Sequence, residues 1–241
     1  MEYSCLTDIG LIREKNQDSY IAISNSYGDF LVLVADGIGG GKAGEVASGE
    51  LIKYFDVNFK DSGPFSKLED VINYMLYHIR KANKHVYELS LRHPDYSGMG
   101  TTISGILFTK CGTISVNCGD SRVYGFIDDM MVQLTIDHTL INQMLEKGQI
   151  SAEEAVNHPK KHYLVKAVGI FDVCNPDVHK VKDMDYYLVC SDGLHGYVSD
   201  DEIKEIVLNK DKTVEEKCED LKDLALLKGG YDNITIVLVR R

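Results

Sequence analysis

Aspartates stand at the margins of the most apolar segments of this sequence. Asp36 ends DFLVLVA, Asp120 follows TISVNCG, Asp192 follows YYLVCS, and Asp232 directly precedes NITIVLV. An Asp beside a Gly is also typical of a simple turn, and that interpretation stays open for each residue taken alone. A strand end would fix each carboxylate while the adjacent turn leaves it accessible. If the four met, they would repel one another unless cations lay between them.

The ligand type indicates which cations these would be. Oxygen ligands without His or Cys favour Mg²⁺ or Mn²⁺ over zinc. Two such ions a few ångströms apart could share one water, lower its pKa and direct it in line at phosphorus. In the loop DGIGGG, Gly37 would let a backbone carbonyl turn toward a metal, and 39–41 would allow close backbone approach.

A candidate phosphate ligand lies near the N-terminus. Arg13 precedes Asp18 in REKNQD, and the guanidinium fork suits phosphate oxygens. A surface or structural ion pair is the plainer interpretation of an Arg close to an Asp.

Short segments rich in Val, Ile, Tyr and Thr, punctuated by Gly and Asp, predict the strands that position these residues. They are 19–24, 29–35, 101–108, 113–119, 122–127, 131–135, 186–191 and 233–239. Apolar residues at helical spacing predict helices over 43–55 and 67–89. Capping boxes predict three later helix starts, at Ser151, Ser199 and Thr213.

The order of these elements predicts the fold class. Strict β-α alternation is absent, which disfavours a doubly wound parallel sheet. We predict an α+β fold in which a central β-sandwich of two antiparallel sheets is flanked by helices. No linker, repeat or low-complexity tract divides the sequence, so we predict a single domain over 1–241.

Composition excludes other classes of protein. The net charge of −11 without a basic cluster argues against nucleic-acid binding. The N-terminal segment has no secretory pattern, and the longest apolar run, FLVLVA, is too short to span a bilayer. Six cysteines without a C-x-x-C pair predict reduced, buried thiols. We therefore expect a cytoplasmic protein with no membrane partner.

Seven short motifs in order resemble the signatures of the metal-dependent, type 2C serine/threonine protein phosphatases, in their bacterial branch. They are R-x-x-NQD (13–18), ADGIGGG (35–41), GTT (100–102), CGDSR (118–122), DH (137–138), SDGL (191–194) and GYDNIT (230–235). Each motif alone is weak, whereas their shared order covers most of the chain. The resemblance implies hydrolysis of phosphoserine and phosphothreonine by a water that bridges two metals.

The resemblance also implies site roles. Asp36 would bridge two Mn²⁺ or Mg²⁺ ions, Asp192 and Asp232 would complete one metal, and the Gly37 carbonyl would serve the other. Asp18 would lie near that second metal, directly or through water. A third, weaker metal would take Asp120 together with Asp192, and Arg13 would bind the substrate phosphate.

Two residues depart from the pattern of the family. Ile38 stands where animal-type members carry a His proposed as general acid, so metal-bound water is a candidate for protonating the leaving group. Gly196 stands where some members carry a third-metal Asp, which puts tight binding of a third metal in doubt.

Other residues in the motifs have a structural interpretation beside the functional one. We expect Thr101 and Thr102 in the core, Arg122 to brace the strand-end turn through Asp120 or a carbonyl, and Asn233 to secure the turn of Asp232. His138 and His195 are each open to a structural or a catalytic role. The segment 137–168, with the basic HPKKHY, would form a flap beside the active site.

Two other functions are alternatives for this sequence. A GHKL-type ATPase would need a helix carrying Glu and Asn upstream of the DGIGGG loop, and the preceding residues are strand-like. A catalytically weak phosphatase fold, used for regulation or binding, would have lost its metal aspartates, yet Asp36, Asp192 and Asp232 are present. The expected partners are phosphorylated proteins and, by analogy with the family, an opposing eukaryotic-type serine/threonine kinase.

Overall fold

The strands form two antiparallel sheets. The computed structural model describes residues 1–38, 43–156 and 158–241, without the side chain of Val156. The first sheet has the order β1, β11, β10, β7, β8, and the second has the order β2, β3, β5, β6, β9, with β4 paired to β3. The strands are β1 Glu2–Asp8, β2 Asp18–Ser24, β3 Phe30–Ile38, β4 Gly100–Thr101, β5 Ile103–Thr109, β6 Gly112–Cys118, β7 Arg122–Ile127, β8 Met130–Gln133, β9 Asp177–Val181, β10 Tyr186–Cys190 and β11 Ile234–Arg240.

Helices cover the outer face of each sheet. They are α1 Gly44–Phe59, α2 Leu68–Arg92, α3 Leu140–Glu146, α4 Ala152–Val156, α5 Asp192–His195, α6 Asp200–Leu208 and α7 Val214–Leu227, with a short 3₁₀ helix at Pro94–Tyr96. The predicted capping boxes are present in the structure. Ser199 and Thr213 each accept from the backbone three residues on, while Glu202 and Glu216 accept in return. These exchanges satisfy amide groups that a helix start would otherwise leave unpaired.

Three apolar layers hold the elements together. Side chains such as Val34, Ile106 and Val189 fill the space between the two sheets. The other face of the second sheet packs on α1 and α2 through residues such as Phe55, and the other face of the first sheet packs on α6 and α7 through residues such as Leu221. Sheets buried on both faces explain why β3 and β11 are continuously apolar instead of alternating. The predicted α+β sandwich is confirmed.

Some strand predictions were incomplete. Strands β1 and β9 were missed because both lie at a sheet edge and carry half-exposed polar residues. The predicted strand 101–108 is divided between β4 and β5 at Thr102. Of the six cysteines, all free, four are buried and two are partly buried. No helix in the described ranges is long and apolar enough to cross a bilayer.

The segment 137–168 begins with a buried ion pair. Arg122, at the start of β7, donates to both carboxylate oxygens of Asp137, at 2.6 to 3.0 Å, and to Tyr124. The expectation that Arg122 braces the turn through Asp120 was therefore wrong about its partner. The carboxylate of Asp137 makes a bidentate contact with Arg122, and the carboxylate of Asp120 does not. A flap role for 137–168, like the single domain over 1–241, stays a prediction.

We expect Arg122→Met and Asp137→Asn each to lower the free energy of unfolding by about 2 kcal/mol, because each leaves a partly buried partner without its counter-charge. The loss of unfolding free energy in the double variant should be smaller than the sum of the two single losses, by at least about 1 kcal/mol, since the two residues interact directly. Urea unfolding of the four proteins measures this coupling.

The exposed pair Lys60–Asp56, whose charged atoms lie 2.7 Å apart, is the matched control. Its coupling in the same cycle should stay within about 0.5 kcal/mol. Additive losses at Arg122 and Asp137 would show that their contact contributes nothing to stability.

Candidate metal centre and active site

All the predicted site residues except Asp18 line one cavity at an end of the β-sandwich. The cavity has a volume of about 540 Å³. Its walls include Arg13, Asp36, Gly37, Asp120, Asp192 and Asp232. Asp18 is buried and does not line the cavity. Strands of both sheets end here, which is why residues up to 219 positions apart in the sequence meet.

Strand pairing sets the positions of Asp18 and Asp36. The two residues are register partners in the β2–β3 ladder. Two buried threonines hold the backbone of Asp36: Thr102 Oγ1 accepts from its N–H at 2.9 Å, and Thr101 Oγ1 donates to its carbonyl at 2.9 Å. The Asp18 carboxylate accepts from Ser191 Oγ at 2.7 Å. The core positions expected for Thr101 and Thr102 are therefore confirmed, and both threonines also fix Asp36.

Of the remaining aspartates, Asp120 follows a strand of the second sheet, and Asp192 and Asp232 adjoin strands of the first sheet. Asp120 follows β6, Asp192 opens α5 directly after β10, and Asp232 precedes β11. Gly193 lies beside the backbone of Asn233, and a Cβ at that position would come within 1.9 Å of the Asn233 carbonyl oxygen. This close approach brings the ends of β10 and β11, and with them Asp192 and Asp232, side by side.

Crowding of these carboxylates changes their acidity. Burial, partly offset by the Ser191 hydrogen bond, raises the pKa of Asp18 to about 7. Burial and then the charge of Asp192 raise the pKa of Asp120 to about 8. Burial raises the pKa of Asp36 well above its usual range, with repulsion from Asp18 and Asp192 adding to it. The free energy of the ionised cluster is therefore high without added positive charge.

The cluster fits hard cations by its donor set. In the described part of the chain, the Oδ1 atoms of Asp18 and Asp192 are buried without a hydrogen-bond partner. A buried carboxylate oxygen without a hydrogen-bond partner needs a cation, a proton or water. No group of three or more His, Cys, Asp or Glu among the described residues is already gathered around one metal position. The ligand roles of Asp18, Asp36, Asp120, Asp192 and Asp232 therefore stay predictions.

Arg13 lies at the mouth of the cavity. Its Nη2 donates to Asp232 Oδ2 at 2.6 Å, and half of its side chain stays exposed. Burial by itself would lower the pKa of the guanidinium, but the hydrogen bond and charge of Asp232, with the charges of Asp192 and Asp36, outweigh it and raise that pKa. Arg13 thus has an ion-pair partner, as the plainer interpretation expected. Its exposed remainder also faces the cavity where phosphate would enter.

Asn233 fixes the loop that carries Arg13. Its Nδ2 donates to the carbonyls of Ile9 and Lys15, at 2.9 and 3.0 Å, and its Oδ1 accepts from the N–H of Gln17 at 2.8 Å. A single buried amide therefore holds both ends of the loop and joins it to the Asp232 turn. The structural role expected for Asn233 is confirmed and extends to the loop.

Gly37 is packed too closely for any other residue. A Cβ here would come within 2.2 Å of the Gly44 carbonyl oxygen and 2.7 Å of the Gln17 carbonyl oxygen. Gly37 thus lies where β3 meets the start of α1. The prediction that 39–41 allow close backbone approach concerns residues outside those that the structure describes.

His138 and His195, for which a structural and a catalytic role were both open, have structural partners. His195 Nε2 lies 3.0 Å from the carbonyl of Asp120, and burial lowers the pKa of His195 to about 3. His138 accepts from the N–H of Gly119 through Nδ1, and its Nε2 lies 3.0 Å from Asp177. Burial lowers the pKa of His138 as well. Both rings thus hold the Asp120 loop, and neither lines the cavity.

Sequence reasoning missed part of the cavity wall. Gln17, His162, Leu164 and Tyr197 also line it. His162 and Leu164 lie in the segment 137–168, which was expected beside the active site, but neither residue was singled out. Gln17 stands inside the NQD motif. Tyr197 had no signal in the sequence, because a Tyr shortly after a short helix is ordinary.

Comparisons with known proteins agree with this geometry. A comparison with protein families matches residues 13–216 to the family described as protein phosphatase 2C. The serine/threonine phosphatase Stp of Listeria innocua is 36% identical over 237 residues, covering 98% of this chain and 94% of that protein. The structure is similar to that of an S. agalactiae serine/threonine phosphatase, with a TM-score of 0.91 at 38% identity and 98% of both chains covered.

Serine/threonine phosphatase Stp1 from Staphylococcus aureus is also similar, with a TM-score of 0.93 at 33% identity, covering 100% of this chain and 94% of that one. The agreement extends over nearly the full length of these relatives. Because the family match covers residues 13–216, well over half of the sequence, the chain belongs to the protein phosphatase 2C family.

Proposed function

We propose that this chain is a metal-dependent protein serine/threonine phosphatase that hydrolyses phosphoserine and phosphothreonine in proteins. The observation that carries the proposal is the single cavity lined by Arg13, Asp36, Asp192 and Asp232. Membership in a phosphatase family and relatives that are serine/threonine phosphatases support the same function. The alternative of a catalytically weak regulator finds no support in these aspartates, since all of them are retained.

Phosphate recognition is assigned to Arg13. Its guanidinium can present two N–H groups to phosphate oxygens while the pair with Asp232 fixes the plane of the fork. The loop that carries Arg13 is held at both ends by Asn233, so little ordering remains to be done when substrate binds. The phosphate would then lie against the aspartates.

The aspartates would hold divalent cations. When bound, two Mn²⁺ or Mg²⁺ ions would neutralise the carboxylates and acidify the water that attacks phosphorus. Asp36, Asp192 and Asp232 are assigned to this pair, with the Gly37 carbonyl and Asp18 beside it. Asp120 with Asp192 is assigned to a weaker third ion. Thr101 and Thr102 keep the Asp36 backbone in place, and Ile38 and Tyr197 form part of the cavity wall.

The cellular setting is also proposed. Six free thiols fit a reducing compartment, so we place the protein in the cytoplasm. A eukaryotic-type serine/threonine kinase would supply the phosphorylated substrates, by family analogy alone.

Metal dependence is the first test of this function. The protein should hydrolyse p-nitrophenyl phosphate and phosphothreonine peptides with Mn²⁺ or Mg²⁺, and activity should stop in EDTA and return when either ion is restored. Colorimetric release of nitrophenol or phosphate measures both. Full activity after exhaustive chelation would overturn the assignment of metals to the aspartates.

Arg13→Ala should raise KM for phosphopeptides and lower kcat less, because the side chain contacts phosphate in the ground state as well as in the transition state. Arg13→Lys keeps the charge but loses the fork, so its KM should lie between those of the wild-type protein and Arg13→Ala. Steady-state kinetics on one phosphothreonine peptide separates these variants. An unchanged KM in Arg13→Ala would leave the residue as a structural partner of Asp232 only.

The aspartates should divide into two groups. Asp36→Asn, Asp192→Asn and Asp232→Asn should each lower kcat at least ~100-fold, the scale seen when a main electrostatic element is removed. Asp120→Ala should cause a milder loss that extra Mn²⁺ partly restores. Calorimetric titration with Mn²⁺ gives the number of tight sites in each variant. Two tight sites and normal turnover in Asp36→Asn would disprove its central position.

A further inference from the structure

Exposed apolar side chains cluster beside the mouth of the catalytic cavity. Leu11 is 65% exposed, Ile12 63%, Tyr231 52% and Leu227 83%. With Tyr197, which lines the cavity, we call these five residues the apolar ridge. Single exposed apolar side chains are ordinary on protein surfaces, whereas a contiguous set next to a binding site marks an interaction surface.

Contacts link Leu11, Tyr231 and Tyr197 through residues 229–231, and Ile12 follows Leu11 in the chain. The N–H of Leu11 donates to the carbonyl of Gly230 at 2.7 Å, and the Leu11 side chain covers Gly230. The ring of Tyr231 folds over Gly229, and its centroid lies 5.3 Å from that of Tyr197. The surface therefore runs from Leu11 across Tyr231 to the wall of the cavity.

The ridge is also rigidly joined to the site. Gly10, at φ +78°, packs on the carbonyl of Asp232, where a Cβ would come within 2.3 Å of the oxygen. Asn233 holds both ends of the same loop, in which Ile12 directly precedes Arg13. A side chain bound on the ridge would therefore be placed at a fixed distance from the phosphate. Little conformational entropy would be lost in ordering the surface.

Charge on the flanks of the ridge is largely neutralised. Lys15 pairs with Glu45 at 2.6 Å, and Lys228 pairs with Glu202 at 2.7 Å. An acidic or basic ligand would gain little from lysines that already have partners. An apolar side chain, by contrast, would gain from each contact that removes its surface from water.

We propose that the apolar ridge binds an apolar side chain of the phosphoprotein substrate, in the extended segment next to the phosphorylated serine or threonine. This inference rests on the proposed phosphatase function and adds a preference for the substrate sequence. The bound side chain lies close in sequence to the phosphorylated residue, because Tyr197 belongs both to the ridge and to the wall of the cavity. The ridge thus selects among substrates that Arg13 would hold equally well.

Phosphothreonine peptides test this preference. In a Ser- and Gly-rich host, a single Leu replaces Ser at each position up to about four residues on either side of the phosphothreonine. At one or two positions, Leu should raise kcat/KM about tenfold, the scale expected for partial burial of one such side chain. Turnover of the all-Ser host and of p-nitrophenyl phosphate tests the phosphatase function separately, since neither reaches the ridge with an apolar group.

Leu11→Ser/Ile12→Ser should abolish the Leu preference, measured as the ratio of kcat/KM between the best Leu peptide and the all-Ser host. Tyr231→Ser is a second variant that leaves Leu11 packed on Gly230, and thermal melting verifies that each variant is folded. Val57→Ser/Tyr77→Ser, which removes two exposed apolar side chains from α1 and α2, is the matched control and should keep the preference.

Two outcomes would overturn the inference. The first is activity on phosphothreonine peptides with no Leu preference at any position, or a preference that survives in both ridge variants. The second is a native dimer that Leu11→Ser/Ile12→Ser makes monomeric while the peptide ratio stays unchanged, measured by light scattering. In that case a second copy of the chain occupies the ridge.

Discussion

Repulsion among buried carboxylates is the constraint on which this structure depends. Five aspartates from both sheets meet at one end of the sandwich, and burial together with their mutual charge raises the pKa of Asp18, Asp36, Asp120 and Asp192. Such a cluster costs stability by itself, so the fold must hold it by other means. The three apolar layers of the sandwich provide that stability away from the site.

Hydrogen bonds to backbone and side chain keep the charged residues in position. Thr102 and Thr101 hold Asp36, Ser191 holds Asp18, and Asn233 joins the Asp232 turn to the Arg13 loop. These partners are buried and neutral, so they orient the charges without adding to them. The same anchoring holds the loop that carries Leu11, Ile12 and Arg13, so the proposed substrate selection and phosphate binding would share one loop.

Much of the fold could be predicted from the sequence. Central strands such as β3 and β11 are apolar because both faces are covered, and the capping boxes at Ser199 and Thr213 are local signals that do not depend on the rest of the chain. The edge strands β1 and β9 were missed, because an edge strand with half-exposed polar residues lacks a periodic pattern. The break at Thr102 was missed because it arises from a hydrogen bond to Asp36.

The sequence by itself determined which residues carry charge at strand ends and the order of the motifs that indicate the family, and it predicted a hard-cation chemistry. Only the tertiary structure decided their neighbours. Arg122 pairs with Asp137 instead of bracing the Asp120 turn, His195 contacts the Asp120 carbonyl, and Tyr197 reaches the cavity wall. These facts depend on which strand lies beside which and on which direction a side chain takes. Local spacing along the chain contains no information on either, since the packing of distant segments sets both.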